Sequence, residues 1–306
     1  MKILIVGGTG QVGGHAALRL SGKGHRVVIA GRRPAPATTE LPKLDFVTLD
    51  YMAGDTPLSA LSSFDAVIFA AGQDVRMMPP GSDEVSYMWH ANAEAVPAFF
   101  ETLREAGVAV AINIGTFYPQ VAPELTARDP YMRARKASDE AIRSLADESF
   151  RAFSINPPWV AGAVPGMGSI LWDPYLAYAA GLTDLPQWLP PGGCAFISGD
   201  GLDDAIEGGL ARGEAGASYL VNGENISFAD YLGAMFDGFG RPRPPVGGTE
   251  EEHPVISDLA VSWGRGGNLF YNTNPRETAL LGYRRNDIAQ AVRTEMVPDF
   301  KRRMGL

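Results

Sequence analysis

The strongest chemical signal lies near the start of the chain, in Ile3-Leu4-Ile5-Val6-Gly7-Gly8-Thr9-Gly10-Gln11-Val12-Gly13-Gly14. Four apolar residues run straight into glycines, and a helix-compatible stretch follows. Gly8, Gly10 and Gly13 fit the spacing G-x-G-x-x-G, while Gly7, Gly10 and Gly13 fit G-x-x-G-x-x-G. Glycine at such points allows a tight turn, close backbone approach to a pyrophosphate, and contact between helix and strand. Free N–H groups and the positive end of the helix dipole then hold the phosphates. The expected cradle is Gly7, Thr9, Gly10, Gln11, Val12 and Gly13. A second signal ends the next apolar run, Val27-Val28-Ile29-Ala30-Gly31-Arg32-Arg33. A site for NAD places Asp or Glu about 20 residues after the glycines, to accept from the ribose hydroxyls. Arg32 and Arg33 stand there instead, and guanidiniums pair well with a 2′-phosphate. The cofactor these residues predict is NADP(H).

The elements that must position these groups alternate in a way that suits a parallel sheet covered by helices. Strands are expected at Ile3–Val6, Arg26–Ala30, Asp45–Leu49, Ala66–Ala70, Val108–Ile114 and Ala152–Ile155. Several are continuous Val, Ile and Ala runs, as strands buried on both faces should be. Helices are expected at Gly13–Leu20, Glu84–Ala106 and Tyr131–Ala146, the last with Asp129 as N-cap and Pro130 as first helical residue. Beyond Asn156 Gly and Pro become frequent, and Trp159, Trp172, Tyr175, Tyr178 and Trp188 fall close together. Asp203–Leu210 and Phe228–Gly240 read as helices, Ser218–Val221 as a strand, and Arg241–Pro254 as a solvated loop. The pattern predicts an α/β fold. A doubly wound parallel-sheet Rossmann domain occupies 1–159, and a smaller, mixed α/β C-terminal substrate domain occupies 160–306. The two are interleaved, with a strand near 218–222 returning to the first sheet.

These motifs, in this order, resemble the short-chain dehydrogenase/reductase superfamily of extended or atypical type, the NAD-dependent epimerase/dehydratase-like members. Asp50, in Leu49-Asp50 after the third strand, matches the family's adenine-contacting Asp. Ala70-Ala71-Gly72 matches its cofactor-lining turn, and Asn92 sits where its helix carries a Val-Asn-x-x-Gly-Thr-like segment. Asn156-Pro157-Pro158-Trp159-Val160 resembles the turn beside the nicotinamide, which brings Pro157 to the cofactor. Ile226-Ser227-Phe228 and Thr278–Tyr283 resemble C-terminal helices of extended members.

The resemblance implies an NADP-dependent oxidoreductase. Family chemistry uses a Tyr as proton donor, a Lys four residues later that lowers the Tyr pKa and holds the nicotinamide ribose, and a Ser or Thr that orients the carbonyl. Here the sequence is Tyr131-Met132-Arg133-Ala134-Arg135-Lys136. Counted from Tyr131, the Lys position holds Arg135; counted from Lys136, the Tyr position holds Met132. Tyr131 and Lys136 are ~140° apart around an α-helix, so both face one point only if the first turn is distorted. Ile112-Asn113-Ile114-Gly115-Thr116-Phe117-Tyr118 leaves Thr116 as the nearest hydroxyl.

Three readings stay open. Tyr131, Lys136 and Thr116 act together in carbonyl reduction. Lys136 works without the Tyr, as in members resembling isoflavone reductases, on an enone-type substrate. Or the site binds nucleotide without turnover, as in members resembling NmrA-type regulators.

The family's nucleotide-sugar enzymes grip the substrate diphosphate with an Arg where Cys194 stands here, which disfavours epimerase or dehydratase activity unless Arg265 compensates. The aromatic residues between Trp159 and Trp188 suit a small apolar or aromatic substrate, and fill a small domain's core equally well.

Composition sets the outer limits. The 306 residues carry 35 acids against 26 Lys plus Arg, a formal net charge of -9, which disfavours nucleic acid as a partner. One cysteine, Cys194, fits a reducing compartment and excludes a disulfide framework. His15, His25, His90 and His253 show no metal-ligand spacing, so no metal is expected. No apolar run reaches the ~18 residues a bilayer requires, and the N-terminal apolar run is too short for a signal peptide. The expectation is a cytoplasmic protein with a small-molecule substrate and no membrane partner, for which a homodimer is allowed.

Overall fold

A computed structural model describes all 306 residues. Eleven strands occur in chain order: β1 (Lys2–Val6), β2 (Arg26–Gly31), β3 (Asp45–Thr48), β4 (Ala66–Phe69), β5 (Val110–Ile114), β6 (Arg151–Asn156), β7 (Trp159–Ala161), β8 (Gly193–Ser198), β9 (Ser218–Leu220), β10 (Glu224–Ser227) and β11 (Asn268–Leu269). The chain divides into two compact units. The first comprises Met1–Pro157, Leu202–Val221 and Thr273–Tyr283; the second comprises Pro158–Gly201, Asn222–Asn272 and Arg284–Leu306.

In the first unit the sheet order is β3-β2-β1-β4-β5-β6-β9, and every pairing is parallel. Order reverses between β1 and β4, the crevice where doubly wound sheets hold ligands at the carboxyl ends of their strands. Strands β1, β4 and β5 are apolar on both faces except for the buried Asn113, whose amide donates to Ser154, and nearly every side chain is buried. Packed on one side are Val96, Phe99, Phe100 and Leu103, with Phe69 meeting Phe99, Phe100 and Tyr51 ring to ring.

The interleaving goes further than a boundary at residue 159 describes. Leu202–Val221 and Thr273–Tyr283 both belong to the first unit. The reason is that β6 would otherwise be an open edge. β9 pairs with it through Ser154–Ser218, Ile155–Tyr219 and Asn156–Leu220. Gly209 lies close on Phe153 and Ile155, leaving no room for a larger side chain.

The stretch expected as one helix over Glu84–Ala106 is interrupted. Helical turns Glu84–Met88 and Ala95–Glu105 flank a π-helical segment at Trp89–Glu94. Pro97 lacks the N–H that would bond four residues back, which favours a widened turn just before it. A second π segment, Val292–Met296, likewise precedes Pro298. By contrast Pro130–Ser144 is an unbroken α-helix, started by Asp129, whose carboxylate accepts from the Met132 N–H at 2.8 Å.

The second unit holds a mixed sheet in which β8 pairs antiparallel with β10 and parallel with β7 and β11. Around it Trp159, Trp172, Phe196, Phe228, Tyr231 and Trp263 form one continuous ring cluster. No helix is long and apolar enough to cross a membrane.

Candidate active site

β1 delivers the chain into Gly7, whose φ of +83° is open to glycine at little cost. A Cβ on Gly7 would stand 2.6 Å from the Ala70 carbonyl oxygen, so the turn is pressed against the end of β4. A Cβ on Gly13 would land on the Gly7 carbonyl oxygen, so the helix Gln11–Gly22 starts in contact with the same turn. Gly10 is its N-cap and no side chain caps it. Backbone N–H groups and the helix dipole are therefore what this end offers to an anion. Thr9 leans to the end of β2, where a Cβ on Gly31 would come within 2.7 Å of its Oγ1. Gln11 and Val12 make the first helical turn. The six residues expected to form a pyrophosphate cradle thus share one turn at the sheet's switch point.

Arg32 and Arg33 follow β2 directly, both exposed, and neither has a carboxylate within ion-pair distance. Asp50, after β3, accepts from the Met52 N–H at 3.1 Å and caps the short turn Tyr51–Ala53. Ala70, Ala71 and Gly72 are the first residues beyond β4 and partly open to solvent. Pro157, just past β6, is buried, and its carbonyl accepts from the Phe117 N–H at 3.3 Å. That bond ties the end of β6 to the turn carrying Thr116.

Thr116, only 9% exposed, is among the groups whose side chains act on the Tyr131 phenol, favouring its ionised form slightly. Burial holds the Tyr131 phenol above its ordinary value; the Arg135 guanidinium opposes this most, and Asp74 and Arg76 act with opposite signs.

Lys136 is not part of this group, which corrects the sequence expectation. Its side chain is 54% exposed, with Nζ 3.6 Å from a Glu140 oxygen on the helix surface. The helix keeps its regular pitch from Pro130 on, so residues five apart diverge and Lys136 points away from the face that Tyr131 occupies.

The residue on that face is Arg135, 5% exposed. Its Nη2 donates to the Ile114 carbonyl at the end of β5, and Nη1 lies 3.4 Å from Asn92 Oδ1. Asn92 is the buried polar residue of the π segment, and its amide also donates to the Gln73 and Met88 carbonyls. Gln73 accepts from Tyr87 Oη at 3.2 Å, and the Tyr51 hydroxyl donates to the Ala91 carbonyl. Sequence reasoning missed Gln73, Asp74 and Arg76, which lie just beyond the Ala-Ala-Gly turn and carry no motif. Arg135 was reachable, since the i, i+4 count from Tyr131 ends on it.

The sequence model of the NAD-dependent epimerase/dehydratase family matches residues 3–171. The chain belongs to that family. Nicotinamide dinucleotide is accordingly its cofactor class, and oxidoreductase-type chemistry its general activity. Among solved structures, it is similar to gox2253, at 20% identity over 99% of this chain and 98% of that one, TM-score 0.77. It is also similar to UDP-glucuronic acid 4-epimerase from Bacillus cereus in complex with NAD, at 16% identity over 99% of both chains, TM-score 0.72. A third is UDP-glucose 4-epimerase from Stenotrophomonas maltophila with bound NAD and formylated UDP-arabinopyranose, at 18% identity over 100% and 99%, TM-score 0.75. These likenesses carry the fold. No sequence among curated proteins matches the chain.

Within this epimerase/dehydratase family member, the second unit's candidate groups are already engaged. Cys194, the second residue of β8, is fully buried, and burial pushes its thiol far up. Arg265 closes on the Asp258 carboxylate with two contacts of 2.6 Å and also donates to the Thr249 and Glu250 carbonyls. His253 Nε2 faces the Trp188 carbonyl at 3.0 Å while Nδ1 accepts from the Val255 and Ile256 N–H groups. Those partners require the neutral ring with its proton on Nε2. Burial accordingly lowers its pKa.

Proposed function

We propose that the protein is an NADP(H)-dependent oxidoreductase that reduces the carbonyl of a small apolar or aromatic substrate. The observation that carries this reading is a half-buried Tyr131 phenol that feels both Thr116, just past β5, and Arg135 on its own helix face. The residues fit the cofactor: added Cβ atoms would fill the cradle at Gly7 and Gly13, and two guanidiniums without ion-pair partners follow β2. Gly7, Thr9, Gly10, Gln11, Val12 and Gly13 would hold the pyrophosphate, Asp50 the adenine, Arg32 and Arg33 the 2′-phosphate, and Ala70, Ala71, Gly72 and Pro157 the remainder. When bound, NADPH supplies a hydride to the carbonyl carbon. Thr116 orients the carbonyl oxygen by donating to it. As the C=O pair moves onto that oxygen, Tyr131 Oη passes it a proton, giving the alcohol. The phenolate left behind regains its proton from solvent.

For substrate class, the support is chemical. The nucleotide-sugar reading needs a cation for a diphosphate; Cys194 is a buried thiol and Arg265 is held by Asp258. The second unit offers exposed apolar side chains such as Ile170 and Phe270. Purified protein mixed with NADPH and a panel of ketones, aldehydes and enones tests the proposal. Loss of nicotinamide absorbance with a ketone or aldehyde, abolished in Tyr131→Phe, is the expected result. NADPH that binds tightly but is not consumed across the panel would contradict it in favour of a nucleotide sensor.

A further inference from the structure

We infer that the cation serving Tyr131 is Arg135, so that this site runs on a charge that does not titrate; the inference rests on Tyr131 being the proton donor. The two residues are four apart on one unbroken helix and share a face. The guanidinium is fixed from several sides. Ile114 O and Asn92 Oδ1 accept from it, and a Cβ on Gly72 would collide with Nη1, so the cofactor-lining turn closes directly over it. No carboxylate lies within ion-pair distance, and Nε is buried without any partner. An isolated cation out of water is costly. A guanidinium cannot escape that cost by losing its proton, as a lysine would.

Two phenols feel this charge: Tyr131 on its own helix face, and the buried Tyr51 from the turn after β3. Tyr51 donates to the Ala91 carbonyl and is closed off from the strand ends, which leaves Tyr131 as the phenol placed for chemistry. The other charges acting on that phenol are Asp74 and Arg76, from the segment after β4. They pair with each other at 2.6 Å, so their effects largely offset. Lys136 is absent from this set and paired with Glu140 instead. Arg135 is thus a positioning residue. It favours the phenolate and braces the turns carrying Ile114 and Asn92, but hands no proton on. Reprotonation of Tyr131 then has to run through Thr116 or solvent.

Tyr131 ionisation can be read without any substrate, by fluorine NMR of protein labelled with fluorotyrosine, with the signal assigned by its loss in Tyr131→Phe. In Arg135→Met the ionisation midpoint should rise by ~1–3 pH units, the range for removal of an adjacent guanidinium. In Arg135→Lys the midpoint should stay close to the wild-type one but the step should broaden, because two interacting groups now titrate together. Lys136→Ala, a surface change, should leave the curve unchanged. A midpoint that ignores Arg135→Met and moves with Lys136→Ala overturns the inference. If Arg135→Met does not fold, a wild-type curve in Arg135→Lys together with a shifted one in Lys136→Ala overturns it equally. Full turnover in Tyr131→Phe, with the titration behaving as stated, would sink the proton-donor reading alone and leave the coupling intact.

Discussion

The carboxyl ends of the first unit's strands and the ring cluster of the second unit treat their polar groups in opposite ways. In the second unit three guanidiniums close on carboxylates, Arg243 on Asp237, Arg265 on Asp258, Arg303 on Asp173 and Asp299, while Arg241 is held by the Ala179 carbonyl and the Gln187 amide oxygen. His253 has three partners and Cys194 is a packed apolar group. At the strand ends of the first unit, Arg32 and Arg33 have no carboxylate, the Gln11–Gly22 helix has no side-chain cap, and Arg135 is buried beside neutral acceptors only. Charges paired in this way contribute to stability, whereas the cations and helix N–H groups at the strand ends of the first unit are left able to meet an anion.

That contrast can be broken. Phe196→Ala removes a fully buried ring touching Trp159, Trp172 and Tyr231, and should cost about 3–5 kcal/mol in denaturant unfolding of the second unit. Binding of NADPH by protein still folded should be unchanged. Gly13→Val is the converse. Its side chain would strike the Gly7 carbonyl, so NADPH binding should weaken by more than ~100-fold, about 2.7 kcal/mol, while the unfolding of the second unit stays where it was. If Phe196→Ala weakened NADPH binding in folded protein as strongly as Gly13→Val, the division of labour drawn here would be wrong.

A smaller effect concerns pH. The folded pKa of His253 lies below its ordinary value of 6.5 because the ring is buried. Folding therefore favours the neutral form. Its contribution is complete above that ordinary value and is lost as pH falls from there toward the lowered folded value. The wild-type Tm should drop on acidification through this range, and His253→Gln should flatten that part of the curve. An unchanged slope would mean that the ring is not held neutral. Smallest of all, Arg265→Ala should leave the Tm almost unmoved, since solvent screens this exposed pair.

What was legible in the sequence followed from local rules. Glycine spacing, continuous apolar strands and the Asp129-Pro130 start each depend on neighbours in the chain, and the parallel sheet follows from them. The returning strand at Ser218–Leu220 was visible as an apolar run, but the return of Thr273–Tyr283 to the first unit was not, because nothing in its composition says which sheet it covers. At the site, Tyr131 and Thr116 come from the resemblance as candidates, and their roles are for the variants to test. Lys136 misled because a lysine in roughly the right place outweighed the helical count, and only the regular pitch of Pro130–Ser144 decides between neighbours 100° apart. The π segment at Trp89–Glu94 was hidden for another reason. Its cue, Pro97, lies beyond the residues it displaces.

The central claim is that the first unit clasps a nicotinamide dinucleotide and that Arg32 and Arg33 choose the phosphorylated one. Titration calorimetry of NADPH and NADH against the wild type and the Arg32→Ala, Arg33→Ala double variant tests it directly. NADPH should bind the wild type more tightly than NADH, and the variant should lose roughly 10–100-fold for NADPH with little change for NADH, as expected for charge-assisted bonds to a phosphate. Equal losses for both, or no heat from either with folded wild-type protein, would contradict it.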